Sequence, residues 1–223
     1  MINIHGIGWI TQEEYGCIAR GEKVPYENAV EFDSVLRNRI FTCPFKNFGR
    51  LDRISKLTCY AIALAMKDAG FSCIPQKKQD IGIVGASDSG SMQSDIDYFK
   101  DYLDCGRTLS RGNLFIYTLP SSPLGEAAIH FGLQGPLLYT AAPEQPLRTA
   151  MTIASEMVIS GETPAILAGL TEDSAAVYFV LMKDSVSKKN ILCNEKEIMA
   201  ILNKDMTFKK MIKELLNLRK GNN

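Results

Sequence analysis

The sequence predicts a layered α/β fold, a mostly parallel central sheet flanked by helices, and two observations carry that expectation. Short apolar runs bounded by glycine recur at Asp80–Ala86, Leu137–Ala142 and Ala165–Gly169, the pattern of strands buried on both faces. Between them, apolar residues repeat at helical spacing over Asp52–Ala69, Leu124–Phe131 and Pro146–Ile159. Strands that alternate with helices in this way form a largely parallel sheet covered on both faces.

In chain order, Met1–Ile10 alternates apolar with other residues and ends in glycines, a strand running into a turn. Residues 11–50 hold Gly21, Pro25, Pro44 and Gly49 and read as irregular connection with one short helix. Asp52–Ala69 is an amphipathic helix stopped at Gly70. After the strand at Asp80–Ala86, Ser91–Gly106 reads as a polar helix or loop. Leu124–Phe131 is helical and closes at Gly132, and Gly135-Pro136 marks a turn into the strand at Leu137–Ala142. Pro146 suits the first turn of a helix that runs to Gly161. Ala165–Gly169 and Ala175–Met182 are two further strands. From Asn194 to Lys220, Ile198, Ile201, Met211, Leu215 and Leu218 sit among lysines as one amphipathic helical pattern. The expected organisation is a main domain over 1–186 and an amphipathic, Lys-rich tail over 187–223.

The 223 residues are 46% hydrophobic, with 25 basic and 25 acidic side chains that cancel. No stretch concentrates Lys and Arg as a phosphate-tracking surface requires, so nucleic acid is not an expected partner. Apolar runs fall short of the ~20 residues of a membrane span, and Met1–Gly16 lacks the basic and apolar regions of an export signal. A soluble, cytoplasmic protein is expected. Cys17, Cys43, Cys59, Cys73, Cys105 and Cys193 form no C-x-x-C pair and have no His at ligand spacing, so reduced thiols and neither metal nor cofactor are expected.

Ile81–Gly90 is glycine-rich but lacks the G-x-G-x-x-G spacing of a dinucleotide site. His130 lies among Ala and Ile, where a structural histidine is the simpler reading than a general base. Ser121 and Ser122 have no His or Asp at readable triad positions.

Three blocks in order resemble the N-terminal half of β-ketoacyl synthases of the thiolase-like superfamily. Gly49-Arg-Leu-Asp-Arg53, opening a helix that ends in Asp68-Ala-Gly70, is similar to the family's "MDR … DAG" helix. Leu119-Pro-Ser-Ser, Gly125 and Ile129-His-Phe-Gly-Leu-Gln-Gly-Pro136 resemble "LPN…G…IAxxFGLxGP". Ser160-Gly-Glu162 followed by Leu167-Ala-Gly-Leu-Thr-Glu172 resembles "SGEAD…LAGGTE". The resemblance covers roughly residues 50–182.

Synthases carry a nucleophilic cysteine in a "TAC" tripeptide between the second and third blocks. This chain has Ala141-Ala-Pro-Glu-Gln-Pro146 there, with Glu144 at the counted position and Gln145 beside it. A Glu-Gln pair resembles the replacement in chain length factors of type II polyketide systems. Neither side chain can take up an acyl group as a thioester. Glu144 at a helix start is also well placed to cap that helix as an anion. The C-terminal half, which supplies two catalytic histidines in the family, is absent from this sequence.

The resemblance therefore implies a non-condensing, chain-length-factor-like subunit in fatty-acid or aryl-polyene-like type II polyketide biosynthesis. Its implied partner is a full-length ketosynthase, or a second copy of itself, with an acyl carrier protein as a further contact. Leu114, Phe115 and Tyr117 correspond to a segment that lines the acyl tunnel near the dimer interface. Leu137, Leu138, Tyr139 and Thr140 correspond to the strand that pairs across the dimer, so proline at Leu138 or Thr140 is expected to disturb that pairing. The alternative is a stand-alone acyl-thioester-binding module, or an enzyme that uses Glu144 as acid or base.

Overall fold

The computed structural model describes residues 1–25, 35–71, 77–108, 111–183 and 191–221. Among them are eight strands: β1 (Ile2–Ile10), β2 (Glu14–Cys17), β3 (Glu22–Pro25), β4 (Ile81–Ser87), β5 (Leu137–Ala141), β6 (Ala165–Glu172), β7 (Ala175–Lys183) and β8 (Cys193–Asn194). They form one sheet in the order β3-β2-β1-β7-β6-β4-β5, with β8 also against β1.

The parallel block expected from the sequence is β6-β4-β5. β7 turns back antiparallel to β6 because Asp173-Ser174 is too short for a crossover helix. β1 then pairs antiparallel with β7 and so points along β6. Five strands (β1, β3, β4, β5, β6) thus run one way, and β2, β7 and β8 run the other.

The helices are α1 (Val35–Ile40), α2 (Arg53–Asp68), α3 (Met92–Asp104), α4 (Gly112–Ile116), α5 (Ser122–Phe131), α6 (Pro146–Ser160), α7 (Glu195–Leu202) and α8 (Phe208–Gly221), with a 3₁₀ turn at Phe48–Arg50. Side-chain alternation along the strands divides the core in two. Ile83, Leu167, Tyr178 and Val180 face α2 and α5. Val84, Ile166, Ala168, Val177, Phe179 and Leu181 face α6, α7 and α8.

In β1 the alternation changes parity. Ile2 and Ile4, then Ile7 and Trp9, all face the α6 side, because the pairing with β7 slips by one residue between Ile4 and Gly6. Gly6 and Gly8 face α2. A Cβ on Gly8 would lie 2.1 Å from the Ala65 nitrogen, so only glycine lets this helix lie directly on the strand. α2 starts where the sequence expects it: Asp52 caps the helix by accepting the Ser55 amide at 2.8 Å.

Two parts differ from expectation. The stretch after β1 contains the hairpin β2–β3, whose four-residue strands show too few residues for a period. The tail is two helices. Asn194 and Glu197 build a capping box on α7, and the chain leaves the helix at Asn203–Thr207, where Asn and Asp side chains compete for the backbone. Ile198, Ile201, Met211, Ile212 and Leu215 from these helices are buried in the α6-side core. The 186/187 boundary and Cys73 lie outside the described residues.

Candidate functional site

The turn from β5 into α6 is built by Pro143–Pro146. Pro146 occupies the first turn of α6, where its missing N–H costs nothing. Gln145 is the N-cap and is left-handed, with φ 51° and ψ 52°, which costs a non-glycine residue about 1–2 kcal/mol. Its carbonyl accepts the Thr149 amide at 3.1 Å and its Oε1 accepts from Arg148 Nη1 at 2.8 Å. Capping by Glu144 does not occur. That residue is one position short of the cap, exposed, and makes no hydrogen bond among the described residues. Gln145 is therefore the residue that the turn presents at the positive end of α6.

Two cavities flank this end of the sheet. One, of about 440 Å³, lies between the start of α6 and the α7–α8 turn, walled by Gln145, Arg148, Leu170, Ile201 and Phe208. The other, of about 180 Å³, lies beyond the C-terminal ends of β4, β5 and β6, the usual ligand position in open α/β sheets. Glu172 lines both. Burial first, then Asp88 and Asp173, raises its carboxyl above the ordinary value.

The second cavity is lined by hydroxyls. Ser87 Oγ and the Tyr139 hydroxyl are 2.5 Å apart, and the Gly90 amide donates to Ser87 at 2.8 Å. Thr58 and Thr171 hydroxyls meet at 2.8 Å, and the buried Tyr178 hydroxyl bonds to both. Leu124 of α5 sits over Gly85, where a Cβ would meet its side chain at 2.6 Å. Gly85 thus makes room for the helix and the cavity.

The structure brings Tyr117 and Tyr139 together on this cavity. Tyr117 is buried, and its hydroxyl donates to the Arg50 carbonyl at 3.1 Å. Leu114 and Phe115 do not line it. Phe115 is 55% exposed and packs on Tyr98. Leu137 and Leu138 are exposed on β5, the edge of the sheet, and Thr140 is half-buried. Ser87, Thr58 and Tyr178 escaped the sequence reading, and Thr171 and Glu172 entered it only within the third motif block, with no site role. The one signal was Gly85-Ala-Ser87, small residues ending a buried strand.

β5 is parallel to β4, and two bonds define its orientation. Ile83 donates to the Pro136 carbonyl, and the Ala142 amide donates to Ser87. Backbone groups alternate in direction along a strand, so Leu138 and Thr140 bond to β4 and Leu137, Tyr139 and Ala141 present theirs to the open edge. Proline at Leu138 or Thr140 therefore strikes the internal ladder, not an outside partner.

His130 stacks on Phe45 with ring centroids 3.7 Å apart and borders Phe41 and Phe131. Burial, then Arg37, holds its pKa down at about 4. It is a packing residue. Burial pushes the Cys17 and Cys193 thiols up to about 12 and raises Cys59 well above the ordinary thiol value, which keeps them protonated and unreactive. Among the described residues no cluster of His, Cys, Asp and Glu could hold a metal ion, and no helix is long and apolar enough to cross a membrane.

Solved structures share this architecture. The ishigamide ketosynthase/chain length factor superposes with TM-score 0.61 at 14% identity over 86% of this chain and 64% of its own. A β-ketoacyl synthase from Burkholderia phymatum STM815 gives 0.59 at 15% identity over 98% of this chain and 70% of its own. A ketosynthase in complex with its chain length factor from Xenorhabdus doucetiae gives 0.57 at 13% identity over 82% and 79%. The chain thus spans less than two thirds of the first of these. No curated protein matches it in sequence. Residues 7–184, which carry the sheet from the second half of β1 through β7, both cavities' strand ends and the Gln145 turn, match the N-terminal domain of β-ketoacyl synthases, and the chain belongs to that family.

Proposed function

We propose that this chain is a non-condensing, chain-length-factor-like subunit that pairs with a complete ketosynthase and contributes interface and tunnel wall, in fatty-acid or aryl-polyene-like type II polyketide biosynthesis. One observation carries the reading: the strained residue at the start of α6 is Gln145, and no cysteine occurs between Cys105 and Cys193. An amide has no lone pair basic enough to attack a thioester and cannot hold the acyl group.

The partner role is supported by the surface around β5. Leu137 and Leu138 are 41% and 37% exposed on an unpaired edge, and Phe115, Ile116, Leu119 and Ile129 are exposed on the neighbouring α4–α5 segment. An edge strand beside exposed apolar side chains is an aggregation hazard that pairing with another chain removes. A full-length ketosynthase is the proposed occupant, and an acyl carrier protein is a further contact of the assembled pair. The test is co-expression with a ketosynthase followed by size-exclusion chromatography. A stable one-to-one complex is expected. A chain that elutes alone beside the synthase would overturn the role.

A further inference from the structure

α2, α5 and α6 each bury one face, but no residue of α3 is buried. Its apolar residues are nevertheless ordered. Met92, Ile96, Phe99 and Leu103 recur at spacings that set them in one row along the helix, and they are 59%, 41%, 59% and 40% exposed. Bonds from the rest of the helix hold that row outward. Ser91 Oγ, just before the first turn, donates to the Thr118 carbonyl at 2.7 Å. Near the other end, Asp101 accepts the Arg111 amide and its Nε, both at 2.8 Å. Between them Tyr98 packs on Phe115 of α4, ring centroids 5.5 Å apart. An amphipathic helix fixed with its apolar row toward water is a docking surface.

Charge selects the occupant. Arg111 pairs with Asp101, and Asp95, Asp97 and Asp104 outnumber Lys100, the one basic residue of the helix. Where the row begins, Met92 and Ile96 border a cavity that Asp52, Glu172 and Asp173 also line. An anionic bilayer or an acidic protein would meet like charge here. The surface that fits is an apolar ridge flanked by Lys or Arg. The row also adjoins the edge given above to the partner, because Tyr139 of β5 lines the same cavity and the exposed Phe115 packs on α3.

We propose that α3 docks a helix of the partner ketosynthase whose apolar side is flanked by Lys or Arg. It thereby selects among partners by charge, which the β5 edge cannot do, since main-chain hydrogen bonds accept any strand. The inference rests on the reading of the chain as a partner subunit and names what that partner must present to it.

The test titrates two fluorescent helical peptides of about four turns into the full chain, read by anisotropy. Both carry the same leucine face, and the remaining positions are lysine in one and glutamate in the other. The lysine peptide should bind about tenfold tighter. Ile96→Ser/Phe99→Ser should weaken its binding by about tenfold and leave the melting temperature unchanged, because both side chains are exposed. Asp95→Asn/Asp97→Asn/Asp104→Asn should erase the preference for lysine and the salt dependence of binding. No binding, equal binding of the two peptides, a preference for glutamate, or lysine-peptide binding that ignores the Ile96 and Phe99 substitutions would overturn the proposal. With a ketosynthase that co-elutes with the unaltered chain, the same double substitution should split the complex. A complex that survives it sinks only this inference. Peptide discrimination by a chain that assembles with no ketosynthase supports the acidic docking row and sinks the partner role.

Discussion

The Asp68 carboxylate accepts the Ile7 amide at 2.9 Å, across 61 residues of sequence. The same carboxylate takes the Ala19 and Arg20 amides at 2.9 and 3.0 Å, so the end of α2 ties together β1 and the turn after β2. Replacing Asp68 by Ala strands three backbone donors, one of them buried. The expected loss is about 3 kcal/mol, read from urea unfolding. A loss within experimental error would show that water replaces the carboxylate without cost.

His130 predicts an acid limb in stability. Its pKa is about 4 in the fold against 6.5 ordinarily, because burial and then Arg37 disfavour the cation. The depressed value means that its contribution is complete above pH 6.5 and is lost as pH falls toward 4. The loss should be about 1–2 kcal/mol, less than the full shift implies because part of the ring is open to water. His130→Phe should flatten that limb. An unchanged pH profile in the variant would place the acid sensitivity elsewhere.

Proline scanning along β5 separates edge from ladder. Leu137→Pro and Ala141→Pro remove N–H groups that face outward and should weaken complex formation with a ketosynthase while the free chain stays folded. Leu138→Pro removes a bond to β4 and should lower stability by about 1–3 kcal/mol even without a partner. The chromatographic and unfolding profiles should therefore split by residue parity. Equal effects at 137 and 138 would contradict the assigned orientation.

Gln145→Cys places a thiol at the positive end of α6. It should react with iodoacetamide faster at pH 7 than Cys43 or Cys105, since helix N-termini lower thiol pKa values. Condensation of acyl and malonyl thioesters should remain undetectable, because a nucleophile is one member of a constellation that acts as a unit. In the unaltered chain, intact-mass measurement should find no acyl adduct. An adduct with turnover would end the non-condensing reading.

The sequence shows an element clearly where one local rule governs it. α2 has a helical period, a capping Asp52 and a stop at Gly70, and α6 runs between Pro146 and Gly161; both lie where those signals put them. β2–β3 is hidden because four-residue strands bearing Glu14, Glu22 and Lys23 show no apolar period. The parity change in β1 depends on an extra residue at His5, which only the register against β7 reveals. In the site, the lack of any cysteine between Cys105 and Cys193 is legible, but the cap at Gln145 is not, since a positive φ at glutamine has no composition signal. The Ser87–Tyr139 pair joins side chains 52 residues apart, and only the pairing of β4 with β5 brings them together.

β5 has a hydrogen-bonded neighbour on one side only, and three residues separate its end from Gln145. Local opening therefore costs less here than in the strands paired on both sides. Deuterium should enter the outward amides of Leu137, Tyr139 and Ala141 long before those of β6 or β7. In the proposed assembly a partner strand laid along that edge should slow this exchange and, through the same backbone, steady the turn that holds Gln145.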